Sequence, residues 1–556
     1  MDSQYMENNL DKKATYRESR NEFYKKHGSL VHSDPVRFSE LAKLCKGKVL
    51  DVGCGTGDLA DFYKGEYEGV DISDEAIEMA KDMRREDAIF KQNDFIKEYA
   101  IPLEKYDTII MAEFLEHLEN DEQVFKNIRQ ILKPTGRIII SVPNGDRVPD
   151  SDHKRTFLVP QLRQRFSEIG KVTFYNNPGF RHRIMMTIDL SKRNANLLSL
   201  VMIVKNEEWG LERAILSCID FVDNIVISVD KDTTDDTLKI AERYADVIKE
   251  HEWADDFSAA RNFAKENINT PWILSLDGHE YVEKHEGLEE KLREKIDALS
   301  VRMIMENSDQ FLTTRLFKSH LNWEEPIHNI IRIKNKKGYE DFIIKHDREK
   351  GQSKTAILER NKQREEMMPK LLKRELKRKG DSTRAYFYLA RWYFTQVKLK
   401  KAIKYYKKYL RKGMNKSEKW LCFYEASLCA NTLGKQPLAL KFLRKAEQIL
   451  PNRWEIALQT GLTYMLFEQW KKAIYFLTDS FKINTGKFIF KPEEKNNANI
   501  WEKIGYCWFQ IGDLKRAKVS WEEAIRSEKN PDQIKLLKKR IDLIDRNLIT
   551  SPKVGK

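Results

Sequence analysis

Long apolar runs are missing from this 556-residue chain. None approaches the ~18 residues a bilayer-spanning helix needs, so a helical transmembrane protein is not expected. The opening stretch, Met1 to Lys13, is polar and carries no apolar core of a secretory signal. Cysteine is scarce. Cys45, Cys54, Cys218, Cys422, Cys429 and Cys507 are scattered, with no C-x-x-C pair. That spacing argues against a disulfide framework and structural zinc, and for a reducing compartment. These absences together give the expectation of a soluble, cytoplasmic protein.

What is present fits several folded domains. Hydrophobic residues make up 41% of the chain, enough for substantial cores. Its length corresponds to about three to four domains. One third of the residues are charged, with a formal net charge of +13. An excess of that size suits nucleic acid, acidic lipid or anionic glycans and nucleotides, and does not choose among them.

Lys48-Val-Leu-Asp-Val-Gly-Cys-Gly-Thr-Gly57 reads as a strand entering a glycine-rich turn before a helix. A second strand, Tyr67 to Asp71, ends in an acid about 20 residues after Asp51, where a carboxylate can hold both hydroxyls of a ribose. Gln92-Asn-Asp-Phe95, the strand Tyr106 to Glu113, a helix and the strand Gly136 to Val142 continue an alternation of β and α elements, hence a parallel sheet. The pattern resembles a class I S-adenosylmethionine-dependent methyltransferase of Rossmann-like α/β fold. The resemblance implies a cofactor site built from Asp51, Gly53, Gly55, Gly57 and Asp71, with Asp94 and Phe95 at the adenine and Glu113 closing the site. Glu113-Phe-Leu-Glu-His117 and Asp152-His-Lys-Arg-Thr-Phe157 match further segments of the class. His117 and His153 are each as readable as packing residues as they are as a base, and no methyl-transfer base is assigned.

Further on, the apolar run Trp272 to Leu276, bounded by Pro271 and Gly278, reads as a short buried strand that delivers Asp277, His279 and Glu280 to its end. Asp and His two residues apart suit a borderline cation such as Mn²⁺. Before it lie Leu200-Val-Met-Ile-Val-Lys-Asn-Glu-Glu208, Ile225 to Asp230, Thr233 to Thr237 and Asp256-Phe-Ser-Ala-Ala-Arg-Asn-Phe-Ala264. In that order these segments resemble a family-2 glycosyltransferase of the GT-A α/β type. The resemblance implies that Lys205, Asn206, Glu207 and Asp230 hold the nucleotide of a sugar donor and that Arg261 lies near its diphosphate. It also implies a metal, Mn or Mg, on Asp277 and His279, with His328 as a returning third ligand. Two departures stand out: His279 occupies the place of a second Asp, and Asn329 follows His328 where the family has Glu. Among Glu280, Glu324 and Glu325, Glu325 is favoured as the catalytic base of an inverting transfer.

The last third changes character. A charged, net basic stretch leads to units that repeat Trp, Ala and Gly positions, with Trp420 and Trp454 about 34 residues apart. The spacing resembles tetratricopeptide (TPR) repeats, which implies an all-α superhelix able to hold a protein partner. Asn484 to Asn499 reads as an insertion between units. The chain thus divides into a methyltransferase domain (1–190), a family-2 glycosyltransferase-like domain (197–345), a basic helical linker (346–380) and TPR-like repeats (381–545). The expectation is a bifunctional glycan-modifying enzyme acting on a glycan or glycoprotein acceptor. The alternative is a methyltransferase with a non-catalytic sugar-nucleotide domain and a TPR scaffold. Nucleic acid is not an expected partner, since no recognised binding motif is present.

Overall fold

The computed structural model describes residues 16–26, 34–97, 105–176, 182–192, 194–306, 310–326, 330–348, 352–379, 382–483 and 496–546. The proposed ligand His328 and its neighbour Asn329 lie outside them, as does most of the expected insertion. The chain forms two compact units, Met1–Ile357 and Leu358–Lys556.

The first unit holds two sheets. One contains β1 (Val49–Val52), β2 (Tyr67–Asp71), β3 (Ile89–Gln92), β4 (Tyr106–Ala112), β5 (Leu132–Pro143), β6 (Lys171–Phe174) and β7 (Arg183–Asp189), in the order β3-β2-β1-β4-β5-β7-β6. β1 to β5 run parallel, and β7 is antiparallel to both neighbours. All residues of β1 and β2 are buried, as expected for strands covered on both faces. Strand order reverses between β1 and β4, the switch point at whose carboxyl ends sheets of this kind bind ligands.

The second sheet contains β8 (Leu198–Val204), β9 (Asn224–Asp230), β10 (Val247–His251), β11 (Trp272–Leu276), β12 (Glu280–His285), β13 (Ala298–Ile304), β14 (Gln310–Lys318) and β17 (Lys336–His346), in the order β10-β9-β8-β11-β14-β13-β17-β12. β10, β9, β8 and β11 are parallel, whereas β14 returns antiparallel beside β11. A separate pair, β15 (Trp323–Glu324) with β16 (Ile330–Ile331), lies beside helix Phe257–Ala264. Trp272 is fully buried and donates its indole N–H to the Leu292 carbonyl at 2.7 Å, which satisfies the polar atom of a core aromatic.

The two sheets share one hydrophobic core, so the short connection between them joins packed domains. A polar seam fixes their register. Arg163 donates to the carbonyls of Val222 and Asp223 at 3.1 and 3.2 Å and pairs with Asp246 at 3.2 Å. Asn144 donates to the Tyr244 hydroxyl, which donates to Glu212 at 2.6 Å, and Arg147 closes on the same carboxylate. Arg163→Ala is expected to lower stability by about 2–3 kcal/mol, because it strips partners from a largely buried carboxylate and two carbonyls. Urea denaturation measures this, and an unchanged midpoint contradicts it.

The second unit is helical. After helix Lys354–Lys379 come the pairs Thr383–Thr395/Leu399–Lys412, Lys416–Thr432/Gln436–Ile449, Trp454–Leu466/Trp470–Lys482 and Asn497–Ile511/Leu514–Ser527, then Pro531–Asp545. Ala402, Ala439, Ala473 and Ala517 are fully buried at matching places on the second helix of each pair, where a small side chain permits close crossing. Among the described residues no helix is long and apolar enough to cross a membrane, and all six cysteines are free.

Candidate functional sites

At the end of β1 the chain turns through Gly53, Gly55 and Gly57, with φ of 73°, 53° and 71°, values that strain any residue bearing a Cβ. Asp71 ends β2 beside this turn. Its Oδ2 accepts the Gly55 amide and its Oδ1 the Ser73 amide, both at 2.9 Å. Burial raises its pKa and the two amides oppose that rise. Asp51 lies inside β1, accepts the Tyr67 hydroxyl at 2.7 Å, and is pushed by burial to about 7. It therefore braces β1 against β2 beneath the turn. Asp94 accepts the Ile96 amide at 3.2 Å, while Phe95 is buried in the core.

Glu113 adopts a left-handed backbone, φ 55°, and accepts Ser141 Oγ at 2.7 Å and Arg183 Nε at 2.9 Å. Glu116, His117 and His153 gather nearby, with ligand atoms within 4.8 Å of one another, and could hold a cation. Both Glu116 carboxyl oxygens are buried without a hydrogen bond, and burial with the nearby Glu113 charge pushes this group to about 9. Burial lowers the His117 pKa, so its imidazole is neutral at pH 7. Sequence reasoning missed the helix over 16–26 that borders this site. Tyr24 places its hydroxyl 2.8 Å from where a Gly55 Cβ would sit, Asn21 accepts Ser73 Oγ at 2.6 Å, and Arg20 lies 3.9 Å from Asp152. The available signal was Tyr16, Arg20 and Tyr24 at i, i+4 spacing, one face of a helix.

In the second sheet the candidate residues converge on the carboxyl ends of β8, β9 and β11. Lys205 Nζ lies 3.1 Å from Asp230 Oδ1, and Asn206, at φ 51°, accepts the Thr234 amide at 2.8 Å. Arg261 donates to Asp277 at 2.6 Å, and Glu207 Oε1 lies 3.4 Å from His279 Nδ1. Gly278 is required between Asp277 and His279, because a Cβ there would lie 2.8 Å from the Glu207 Cβ.

Three further residues that were assigned no role from the sequence enter this site. Arg315 on β14 pairs with Glu280 and lies 3.7 Å from Asp277. Arg348 donates to His279 Nε2 at 3.1 Å; a guanidinium can only donate, so Nδ1 carries the proton that faces Glu207. His346, at the end of β17, packs against His279 with ring centroids 4.7 Å apart. Burial, with His279 and Arg348 adding to it, pushes His346 down to about 4, so it is neutral at pH 7. Burial works to raise the Asp277 pKa, but Arg261 and Arg315 overcome it and hold the carboxyl well below the usual range. Asp277, His279 and Glu280 offer ligand atoms within 4.8 Å of one another. This donor set fits a borderline divalent cation, and His346, whose buried Nδ1 makes no hydrogen bond, packs beside it. An ion bound at Nε2 would displace Arg348.

Glu325 Oε1 lies 3.9 Å from Arg332 Nη2. Its φ is 70°, and its carbonyl accepts Ser258 Oγ at the start of helix Phe257–Ala264, one turn before Arg261.

Residues 19–184 match the model of a methyltransferase domain and residues 199–348 that of glycosyl transferase family 2. The ubiquinone biosynthesis O-methyltransferase of Escherichia coli O157:H7 is 33% identical over 123 residues, which are 20% of this chain and 50% of that protein. A TPR repeat-containing protein of Synechococcus elongatus is 32% identical over 144 residues, 24% of this chain and 35% of that protein. The chain spans about half the length, or less, of the curated relatives it matches. The solved structure of YrrB, a TPR protein, is similar at 18% identity and a TM-score of 0.27, over 33% of this chain and 88% of that one. The chain therefore carries domains of two transferase families, followed by a helical region that resembles TPR proteins.

Proposed function

We propose that this chain is a bifunctional glycan-modifying enzyme. The domain at 197–345 transfers a sugar, with inversion, from a nucleotide-sugar donor. The domain at 1–190 transfers a methyl group from S-adenosylmethionine to the glycan or its acceptor. Residues 346–380 connect them to a TPR-like array, 381–545, that holds the acceptor or a protein partner. Free cysteines throughout support a cytoplasmic location. The observation that carries the reading is the meeting of the Lys205–Asp230, Glu207–His279 and Arg261–Asp277 pairs at three adjoining parallel strand ends.

In the sugar transfer, Lys205, Asn206 and Asp230 hold the nucleoside and Arg261 faces the diphosphate. A cation held by Asp277, His279 and Glu280 would neutralise charge on the departing nucleoside diphosphate. Glu325 takes the proton of the acceptor hydroxyl as that oxygen bonds to the anomeric carbon and the donor's glycosidic bond to phosphate breaks. In the methyl transfer, the glycine turn and Asp71 hold the cofactor, which supplies the electrophilic methyl group. His117, neutral at pH 7, accepts a proton from the acceptor.

The test is Mn²⁺-dependent release of nucleoside diphosphate from a panel of sugar nucleotides. His279→Ala and His346→Ala should each raise the Mn²⁺ concentration needed for half activity by about tenfold or more. Turnover indifferent to metal and to both histidines contradicts the cation assignment. A panel that neither binds nor turns over contradicts the transferase reading.

A further inference from the structure

The positive charge of this chain is concentrated in its helical unit. Residues 358–556 hold 45 Lys and Arg against 21 Asp and Glu, while the preceding 357 residues hold 54 against 65. Within that unit, helix Leu399–Lys412 buries Ala402, Ile403, Tyr406 and Tyr409. Its opposite face carries Lys400, Lys404, Lys407 and Arg411, at steps of three and four residues that align on one side of a helix. All four are exposed, and none has an ion-pair partner among the described residues. Val397, two residues before the helix, and Met414, two residues after it, are 72% and 91% exposed.

Val397 is unexplained by folding. It adopts φ 54°, a strained conformation for a β-branched side chain, at the left-handed residue that ends the first helix of its pair. The matching places in the later pairs hold Gly434, Glu468 and Gly512, two of them glycines that take this conformation freely. A valine there strains the backbone and buries little. Met414 at the far end also lacks a packing role. Two exposed apolar side chains flank the ends of a helix whose four uncompensated cations span roughly 17 Å.

That arrangement suits a flat surface that is anionic outside and apolar within. Lysine and arginine heads reach the headgroups, while Val397 and Met414 enter the boundary of the acyl region. A dissolved polyanion would engage the cations and leave both apolar ends idle. We propose that helix Leu399–Lys412 docks this protein peripherally on an acidic lipid surface through Lys400, Lys404, Lys407 and Arg411, with Val397 and Met414 at its two ends.

The full chain is sedimented with vesicles of phosphatidylcholine alone and of phosphatidylcholine mixed with phosphatidylglycerol. Binding should require the acidic lipid and should disappear in about 1 M salt, where charge is screened over a few ångströms. Replacing Lys400, Lys404 and Lys407 together by Ala should weaken partitioning by about a hundredfold, at about 1 kcal/mol per cation near the surface. Val397→Gly combined with Met414→Ser should weaken it by about tenfold. The glycine relieves backbone strain, so an unlowered thermal midpoint shows that the double variant is folded. The same double variant should bind inorganic polyphosphate as the parent does. Equal binding to neutral and acidic vesicles overturns the proposal. So does a double variant that keeps full vesicle affinity, which would reduce the row to a general polyanion contact.

Discussion

Asp277→Ala should abolish nucleotide-sugar turnover by about a thousandfold and destabilise the first unit by about 3 kcal/mol. Both effects come from its position between Arg261 at 2.6 Å and Arg315 at 3.7 Å. The two guanidiniums are largely buried, and removing the carboxylate leaves Arg261 without its charge partner while Arg315 keeps only Glu280. The cation site loses a ligand at the same time. Asp277→Asn separates the two roles, since it keeps the shape and a hydrogen-bond acceptor but removes the charge. Donor turnover and urea midpoints measured on the same preparations check the expectation. An alanine variant as stable as the parent would show that the arginines find other partners. The pH dependence follows from the depressed pKa. The Asp277 contribution is fully present above the unfolded carboxylate value of about 4 and is lost as pH falls towards the lower folded value.

Asp71→Ala should weaken binding of S-adenosylhomocysteine by about a hundredfold or more. The carboxylate that would grip the ribose also accepts the amides of Gly55 and Ser73, so its loss frees the glycine turn. Each buried amide left without an acceptor costs about 1–3 kcal/mol. Titration calorimetry with S-adenosylhomocysteine reads the effect. Sugar-nucleotide turnover by the same variant serves as a control, because Asp71 ends β2 in the first sheet and bonds to Gly55 and Ser73 there. Unchanged affinity would remove Asp71 from the cofactor site and weaken the case for the whole methyl-transfer reading.

Much of the architecture was legible locally. Lys48 to Gly57 and Leu200 to Glu208 each spell a buried strand followed by a turn, and β1 and β8 form there. The tryptophan, alanine and glycine spacing of the last third announced helix pairs, because small residues at crossings and aromatics between pairs recur with the repeat. Other features left only an ambiguous local trace. The Tyr16–Tyr24 face beside the glycine turn has i, i+4 spacing, but that pattern also marks ordinary packing helices. Asp51 reads as part of the cofactor motif, yet its side chain is spent on Tyr67 within the sheet.

The sequence by itself determined which segments become strands, turns and helix pairs, and which acids and glycines end the strands. Those properties depend on a few adjacent residues: apolar alternation, a glycine's freedom at positive φ, a carboxylate after a buried run. Only the tertiary structure decided the company that Asp277 and His279 keep. Arg315 reaches Glu280 across 35 residues, Arg348 reaches His279 across 69 and Glu207 reaches it across 72. The register of β14 and β17 in one sheet sets those meetings. Strand pairing is a long-range property of the folded core, so charge balance at the site was unreadable until the strands were laid side by side.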